Sequence, residues 1–336
     1  MRGESRRTPG ILNFRALALP VLRLLLGHRR HSLPPRWLTH QLGRIHWLLA
    51  WRKRTRLQQD LARALNVGDR RTVSDILRRS WLGSDRAILE VASLYRNPLS
   101  PERVRAHCQV EGLDTLRAAH GEGKGVILLT LHAGNLMLLA ARLAQEGLPV
   151  SVLYREARKT PDRFFQDCME PYGIETICVQ RRPARHGDLK RIEADRTMFR
   201  AQSFLELRRA LRRKRILLVM LDASSKGPGI PLPFLGKEIT VSPGPEYLAR
   251  GLGARVVPLT LQADAPCWTF RIEEPWQLDF EQSPEAVTGI MLADLERHVL
   301  EQPWAWSWHQ RRWRRLPFMA DSTSREDNGG PTERAV

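Results

Sequence analysis

Apolar runs that alternate with helical stretches constrain the fold of this chain more than any other feature. Four mainly apolar runs are typical of strands buried on both faces of a parallel sheet, and they lie at 125–131, 149–154, 216–221 and 256–261. Stretches with helical spacing separate or follow them, at 136–146, 161–171, 202–214 and 243–252. This alternation predicts an α/β fold, with a mostly parallel central sheet flanked by helices.

Further elements are predicted on both sides of this alternation. Apolar spacing predicts helices within 52–97 and at 284–301, and 268–272 is expected to add a more exposed strand. The polar residues of 319–336 predict a disordered tail. We therefore expect a separate basic segment at 1–51 and an α/β domain with a helical start at 52–318.

The positive charge is concentrated at the N-terminus. The net charge is +18, and residues 1–60 supply +11 of it from thirteen basic and two acidic residues. This excess indicates an anionic partner. The apolar stretch within 11–51 is interrupted by Arg15, Pro20 and Arg23, which leaves no uncharged 18-residue span, and no small-residue cleavage site follows it. Segment 1–51 is thus predicted to be a helical anchor in the plane of a membrane, or else an amphipathic helix packed on the domain.

Cysteine spacing and the remaining basic residues exclude several functions. Four widely spaced cysteines with no CxxC pair (108, 168, 178 and 267) exclude a disulfide scaffold or zinc ribbon, and they predict core thiols and no metal site. The basic stretch 181–215 lacks the motifs and interleaved aromatics of nucleic-acid binders, so no nucleic acid is expected. It is predicted to be a solvated helix, or a docking surface for an acidic carrier protein or acidic lipid.

One histidine lies at the end of a predicted strand, the usual position of active-site residues in an α/β fold. His132 follows the first apolar run directly, and active-site residues gather beyond the carboxyl ends of such strands. Gly134 permits close backbone approach, and the amides of the next helix are candidates to face an oxyanion. His132 is therefore a candidate general base, although a lone histidine after a strand is more often structural.

Six short blocks around this histidine stand in a fixed order along the chain. They are His132-Ala133-Gly134-Asn135, Tyr154-Arg155, Leu221-Asp222 with Pro231-Leu232-Pro233-Phe234-Leu235-Gly236, Ser242-Pro243-Gly244-Pro245, Gly253-Ala254-Arg255-Val256-Val257-Pro258, and the Trp-rich, Arg-rich stretch 301–313. Together they resemble the lipid A late acyltransferases, within the lysophospholipid acyltransferase superfamily, over about residues 50–315.

The resemblance implies transfer of a fatty acyl chain from an acyl carrier protein or coenzyme A thioester to a hydroxyl of a lipid A precursor or related glycolipid, with no further cofactor. His132 and Asp222 are then the catalytic residues, with His132 as the base and Asp222 near the acceptor. Asn135, Arg155 and Gly236 are expected to bind substrate, Arg155 through an anionic group. The Trp-rich stretch suits either core packing or contact with headgroups. The expected location is the cytoplasmic face of the inner membrane.

One position departs from the family pattern. The first block normally ends, five residues after the histidine, in an acid that orients the imidazole, and here that position is Met137. Either the enzyme is crippled, or another acid such as Asp222 or Glu246 holds His132. The alternatives to lipid A acylation are therefore acylation of another glycolipid or lysophospholipid, and a catalytically weak protein that binds lipid or carrier.

Overall fold

The computed structural model describes residues 32–95, 97–156, 163–180, 189–222, 229–262, 267–308 and 311–319. Most of the expected N-terminal anchor, the first part of the basic stretch (181–188) and the tail from 320 lie outside the described residues. The helices are α1 (Arg36–Leu49), α2 (Trp51–Leu65), α3 (Arg70–Leu94), α4 (Pro101–His107), α5 (Leu113–Gly121), α6 (Leu136–Gln145), α7 (Phe164–Met169), α8 (Leu189–Arg212), α9 (Gly244–Leu252), α10 (Pro284–Glu301) and α11 (Arg311–Arg315).

The described strands form one large sheet and one hairpin. They are β1 (Cys108–Glu111), β2 (Val126–Thr130), β3 (Val150–Arg155), β4 (Glu175–Gln180), β5 (Ile216–Met220), β6 (Ile230–Phe234), β7 (Lys237–Val241), β8 (Arg255–Gln262) and β9 (Trp268–Ile272). The sheet has the order β1-β9-β8-β2-β5-β3-β4, and β6 pairs with β7. Neighbours in the sheet are parallel except for the antiparallel pair β8 and β9. The predicted α/β fold is confirmed.

Burial on both faces explains why β2 reads as a continuous apolar run. All five of its residues are buried. Ile127 and Leu129 enter the core on one face of the sheet, and Val126 and Leu128 enter the core on the other. Successive side chains of a strand point to opposite faces, so a sheet covered on both sides needs apolar residues at every position.

Several sequence predictions need correction. The strand at 268–272 is not exposed, because β9 lies between β8 and β1 and leaves only Arg271 exposed. The helical region 52–97 is broken between α2 and α3, where Asn66 adopts a left-handed conformation (φ 52°) and the Asp69 carboxylate caps the next helix. Edge strands β1 and β4 and the β6–β7 hairpin were not predicted.

Helix α1 is amphipathic and packs against α3. Its inner face carries Gly43 and Trp47, and a Cβ at Gly43 would lie 2.7 Å from a side-chain carbon of Leu82. Its outer face exposes large apolar side chains: Trp37, Ile45, Leu48 and Leu49, continued by Trp51 of α2. Among the described residues, no helix is long and apolar enough to span a membrane. The second part of segment 1–51 therefore packs on the domain and also presents an apolar surface.

The cysteines and the basic helix occupy ordinary structural positions. Cys108 and Cys168 are buried, and burial raises the pKa of the Cys168 thiol to about 12. Helix α8 buries Leu207 and Leu211, and it ends next to the amino end of β5. Its described arginine side chains are exposed (Arg200, Arg208, Arg209 and Arg212). That end is about 17 Å from the carboxyl edge of the sheet, from five residues at 3.3 Å each. Whether this basic helix is only solvated or docks an acidic carrier protein or lipid stays a prediction.

Candidate active site

Strand register brings His132 and Asp222 together. Thr130 and Met220, the last residues of β2 and β5, are direct partners in the sheet, and the Leu221 amide donates to the Thr130 carbonyl at 2.9 Å. His132 lies two residues after the end of β2, and Asp222 lies two residues after the end of β5. The two residues are therefore side by side at the carboxyl edge of the sheet. This is where an open α/β sheet places its functional residues.

His132 and Asp222 make a paired contact through backbone and side chain. The His132 amide donates to both carboxylate oxygens of Asp222, at 3.1 and 3.2 Å, and the imidazole Nδ1 lies 2.7 Å from Oδ1. An ionised carboxylate only accepts hydrogen bonds, so Nδ1 carries the proton and the lone pair of the neutral ring is on Nε2. The His132 side chain is 33% exposed and that of Asp222 only 1%. The ring can therefore meet a substrate while the carboxylate cannot.

The environment of Asp222 keeps it ionised. Burial raises its pKa, but the charge and hydrogen bonds of His132 and the Trp306 indole outweigh burial, so the pKa of Asp222 lies below its ordinary value of 3.8. Trp306 Nε1 donates to Oδ2 at 2.7 Å. The two carboxylate oxygens of Asp222 are thus engaged by His132 and Trp306, and a position of Asp222 near the acceptor stays a prediction.

The Trp-rich stretch forms core around this pair. Trp306, Trp308 and Trp313 are at most 3% exposed and meet edge to face, with ring centroids 5.0–5.6 Å apart. Ala133 forms an isolated β-bridge with Trp306, and the Ser307 amide donates to the His132 carbonyl at 3.2 Å. For these three tryptophans the headgroup-contact interpretation is wrong, because their rings are closed off by one another and by the sheet.

The side chain of Asn135 stabilises the loop that contains His132. It is 1% exposed, its side-chain oxygen accepts from the Leu138 amide at the start of α6, and its Nδ2 donates to Glu90 at 3.1 Å. Glu90, on α3, also accepts from the Trp268 indole and from Arg86. Both atoms of the Asn135 side-chain amide thus bind other groups of the protein, and substrate binding by Asn135 stays a prediction.

Arg155 and Gly236 occupy different parts of the molecule. Arg155 ends β3, which adjoins β5, so it shares the carboxyl edge with Asp222, and the strand register shifts just before it. Gly236 lies in the tight β6–β7 turn with φ 75°, where a Cβ would meet the Phe318 ring at 3.0 Å. Only glycine combines that conformation with that contact. The substrate-binding roles of Arg155 and Gly236 stay predictions.

Met137, at the position of the family's acid, is a residue of the apolar core. Met137 is 7% exposed and packs in the apolar core between the sheet and α6. Of the two acids offered as substitutes, Asp222 lies against the imidazole, whereas Glu246 is fully buried and binds Arg250 at 2.6 Å. The carboxylate that contacts the histidine thus comes from a different strand, 90 residues away in sequence.

Two residues of this site escaped sequence reasoning. In the sequence, Trp306 is one member of a tryptophan cluster, and Glu90 belongs to no motif. The available signal for Glu90 is a single acid within the apolar helix segment Ile88-Leu89-Glu90-Val91. The described residues contain no group of three or more His, Cys, Asp or Glu that could hold a metal.

Comparison with known proteins identifies the class of enzyme to which this chain belongs. The model of the bacterial lipid A biosynthesis acyltransferase family matches residues 19–315. The chain therefore belongs to that family and is an acyltransferase. It is also similar to the phosphatidylinositol mannoside acyltransferases of two Mycobacterium tuberculosis strains, H37Rv and CDC 1551, with 25% identity over 263 residues and 76% of each chain covered.

Proposed function

We propose that this acyltransferase moves a fatty acyl chain from an acyl carrier protein or coenzyme A thioester to a hydroxyl of an anionic glycolipid, a lipid A precursor or a related molecule. The observation that carries the proposal is the pairing of a partly exposed His132 with a buried, ionised Asp222 at the carboxyl edge of the sheet. An alcohol is a poor nucleophile at neutral pH and needs a positioned base.

The reaction follows from the proton positions of the pair. Nε2 of His132 removes the proton of the acceptor hydroxyl as its oxygen attacks the thioester carbonyl. The tetrahedral intermediate expels the thiolate, which takes the proton back from the imidazolium, so that an ester and a thiol are formed. Asp222 holds the ring by Nδ1 and stabilises its positive charge during the step. The amides of Leu136 and Met137, which precede the Leu138 amide bound by Asn135, are the proposed donors to the oxyanion.

The proposed acceptor is chosen from the positive charge of Arg155 and from the names of similar proteins. Arg155 stands on the same sheet edge as Asp222, and a guanidinium fork binds phosphate in a bidentate manner. The Mycobacterium tuberculosis relatives are named for a mannosylated phosphatidylinositol. Both observations support an anionic glycolipid as the acceptor.

A membrane surface is the proposed place of reaction, at the cytoplasmic face of the inner membrane. Helix α1 exposes 67% of Trp37 and 68% of Leu49, beside the basic residues Arg44 and Arg52. Apolar side chains flanked by cations suit the interface of an anionic bilayer.

The function is tested by acyl transfer from palmitoyl-coenzyme A and palmitoyl carrier protein to a panel of glycolipids and lysophospholipids. His132→Ala should lower the rate by about 10²–10⁴ through loss of the base. His120→Ala is the matched control, because His120 binds the Lys214 carbonyl at the opposite sheet edge and should leave the rate unchanged. Transfer that survives His132→Ala would refute the mechanism, and lipid binding without transfer by the wild type would identify a non-catalytic binder.

A further inference from the structure

The loop that contains His132 is held by one buried carboxylate, that of Glu90 on α3. Glu90 is 2% exposed, and its Oε2 accepts from Nδ2 of Asn135 at 3.1 Å and from the indole N–H of Trp268 at 2.5 Å. Its Oε1 accepts from Nε of Arg86 at 2.7 Å. All three partners are donors, and a carboxylate is a group that only accepts hydrogen bonds. These contacts therefore call for a carboxylate at this position.

Glu90 fixes the orientation of the Asn135 side chain. Oδ1 of Asn135 accepts from the Leu138 amide at 3.0 Å and caps α6, which begins at Leu136. The opposite orientation would point the donor Nδ2 at that amide and would leave it uncapped. Because Nδ2 donates to Glu90, only the capping orientation satisfies both ends of the side chain.

Trp268 connects the same carboxylate to the preceding residue of the loop. Gly134 has φ 61°, and a Cβ there would lie 3.1 Å from a ring carbon of Trp268. The backbone of Gly134 therefore packs closely on the indole ring whose N–H donates to Glu90. The guanidinium carbon of Arg86 lies 4.3 Å from the centre of the same ring. Glu90 thus holds the loop at two successive residues, Gly134 and Asn135.

The backbone that follows this loop supplies the proposed donors to the oxyanion. The first amides of a helix have no partner within the helix, and in α6 these include the amides of Leu136 and Met137. Removal of one such donor from an active site costs about 10²–10³ in rate, and the donors act only when their positions are fixed. A shift of the start of α6 would therefore slow the chemical step and leave the base, His132, in place.

We propose that Glu90 is a positioning residue for acyl transfer, which fixes the start of α6 through Asn135 and Trp268. The inference rests on the proposed function for the reaction and on the contacts of Glu90 for the positioning. Glu90 is too deeply buried to meet a substrate, so it acts through these neighbours. Arg86, which is also mostly buried, supplies the opposite charge that a buried carboxylate needs.

Glu90→Gln tests the positioning in steady-state kinetics with the thioester and the glycolipid that the wild type uses best. Glutamine has one acceptor oxygen where the carboxylate has two, so at least one of the three donors loses its partner. We expect kcat to fall about 10- to 100-fold and both KM values to stay within about twofold, because the misplaced amides act in the transition state. Unchanged kcat, with or without a higher KM, would overturn the proposal.

Asp85→Asn is the matched control for the loss of a buried acid on the same helix. Asp85 is also 2% exposed, and it pairs with His46 of α1 at 2.6 Å rather than with the loop of His132. Both variants should be less stable than the wild type in urea unfolding, whereas only Glu90→Gln should lower kcat. An equal fall of kcat in both variants would assign the effect of Glu90 to general stability and would overturn the proposal.

A paired substitution tests the contact between Glu90 and Asn135 directly. Asn135→Asp keeps the capping oxygen but sets two acids against each other, so kcat should fall about 10- to 100-fold. Adding Glu90→Gln supplies an N–H donor to the new carboxylate and should restore kcat about tenfold. The recovery is incomplete because the Trp268 N–H then loses its acceptor. A double variant no faster than Asn135→Asp alone would show that this contact does not position the loop.

Hydrogen exchange separates the positioning from the proposed function, because it needs no catalysis. Exchange of the amides of 133–139 in the full chain, followed by mass spectrometry, should be about tenfold or more faster in Glu90→Gln and unchanged in Asp85→Asn. Unchanged exchange in Glu90→Gln would overturn the positioning. If the wild type transfers no acyl group but exchange is faster in Glu90→Gln, the proposed function fails while the positioning of α6 by Glu90 stands.

Discussion

Trp306 is the residue that joins the Trp-rich stretch to the candidate catalytic pair. Its indole N–H donates to Asp222 Oδ2, while the other carboxylate oxygen, Oδ1, faces His132. Each oxygen thus has a fixed partner, which prevents rotation of the carboxylate away from the ring. Trp306 is accordingly a positioning residue, which acts on the histidine through Asp222.

Trp306→Phe should remove this hydrogen bond and keep most of the ring packing. We expect a loss of about 1–3 kcal/mol in the free energy of unfolding at pH 7, because a buried charged acceptor loses a donor. Urea unfolding of wild type and variant measures it.

The loss caused by Trp306→Phe should depend on pH. The folded-state pKa of Asp222 is lowered, so its interactions stabilise the protein above the unfolded pKa of about 3.9 and are lost as the pH falls through the folded value. Because the N–H is one cause of the lowered pKa, the gap between wild type and variant should shrink below about pH 4. A gap that is equally large at pH 3 would assign the loss to ring packing instead.

Met137→Glu tests whether the missing family acid has been replaced. Met137 is 7% exposed in an apolar core, so a carboxylate there should lower the free energy of unfolding by more than about 2 kcal/mol and should not raise the rate of acyl transfer. Met137→Leu is the control and should cost less than about 1.5 kcal/mol. A rise in rate by orders of magnitude would show that Asp222 does not substitute for the family acid.

At the scale of elements, the β6–β7 hairpin is held by a buried lysine. Lys237 begins β7, is 1% exposed, and pairs with Asp60 of α2 at 3.4 Å. Its Nζ lies 4.1 and 4.4 Å from the ring centres of Trp313 and Phe318. One side chain therefore ties the hairpin to a helix and to the aromatic cluster that supports Asp222.

Asp60→Asn should lower the free energy of unfolding by on the order of 3 kcal/mol at pH 7, because it leaves a buried ammonium without its counter-ion. Burial lowers the pKa of Lys237 and Asp60 partly restores it, so the folded value lies below the usual 10.5. Between the folded and unfolded values the unfolded chain binds more protons, and stability rises with pH. The loss should therefore be smaller at pH 10 than at pH 7 in urea unfolding.

The double variant Lys237→Met with Asp60→Asn provides the control for the single change. It removes both charges and should recover most of the stability at pH 7, since a buried ion pair is often no better than apolar packing. If the double variant is as unstable as Asp60→Asn alone, the unpaired charge of Lys237 does not explain the stability lost in Asp60→Asn.

At the scale of the whole molecule, helix α3 lies between the exposed apolar face of α1 and the candidate active site. Helix α1 packs on α3 through Trp47, and Glu90 of α3 accepts from the Asn135 side chain in the loop that follows His132. The exposed apolar face of α1 is the proposed membrane contact, and α3 connects it to the active site. Because Trp47 and Gly43 are buried against α3, deletion of all of 1–51 would uncover that helix, and surface substitutions are the better test.

Leu48→Ser combined with Leu49→Ser should weaken binding to anionic phosphatidylglycerol vesicles about tenfold or more, because each leucine contributes up to about 1.5–3 kcal/mol when it leaves water. Both side chains are at least 67% exposed, so folding should be unaffected. Met198→Ser, on α8 and 68% exposed, is the control that removes an apolar side chain elsewhere. Vesicle sedimentation measures binding, and equal binding by all variants would place the anchor in other residues.

Local pattern allowed much of this molecule to be predicted. The central strands and α10 follow from apolar runs and helical spacing, because burial on both faces of a sheet forces apolar residues at consecutive positions. Short edge strands such as β1 and β4 could not be found. Strand β1 has only four residues of mixed exposure, and β4 is mostly half-buried, so neither forms a continuous apolar run. The position of His132 at a strand end was predicted for the same local reason.

The sequence by itself determined the α/β class, the order of its central elements, the basic N-terminus and the histidine at a strand end, because each depends on residues close together in the chain. Tertiary structure alone decided which acid holds His132, since Asp222 and Trp306 are 90 and 174 residues away from it. It also decided that Trp306, Trp308 and Trp313 form core. Strand order and register fix such long-range contacts, and neither leaves a trace in the spacing of the residues involved.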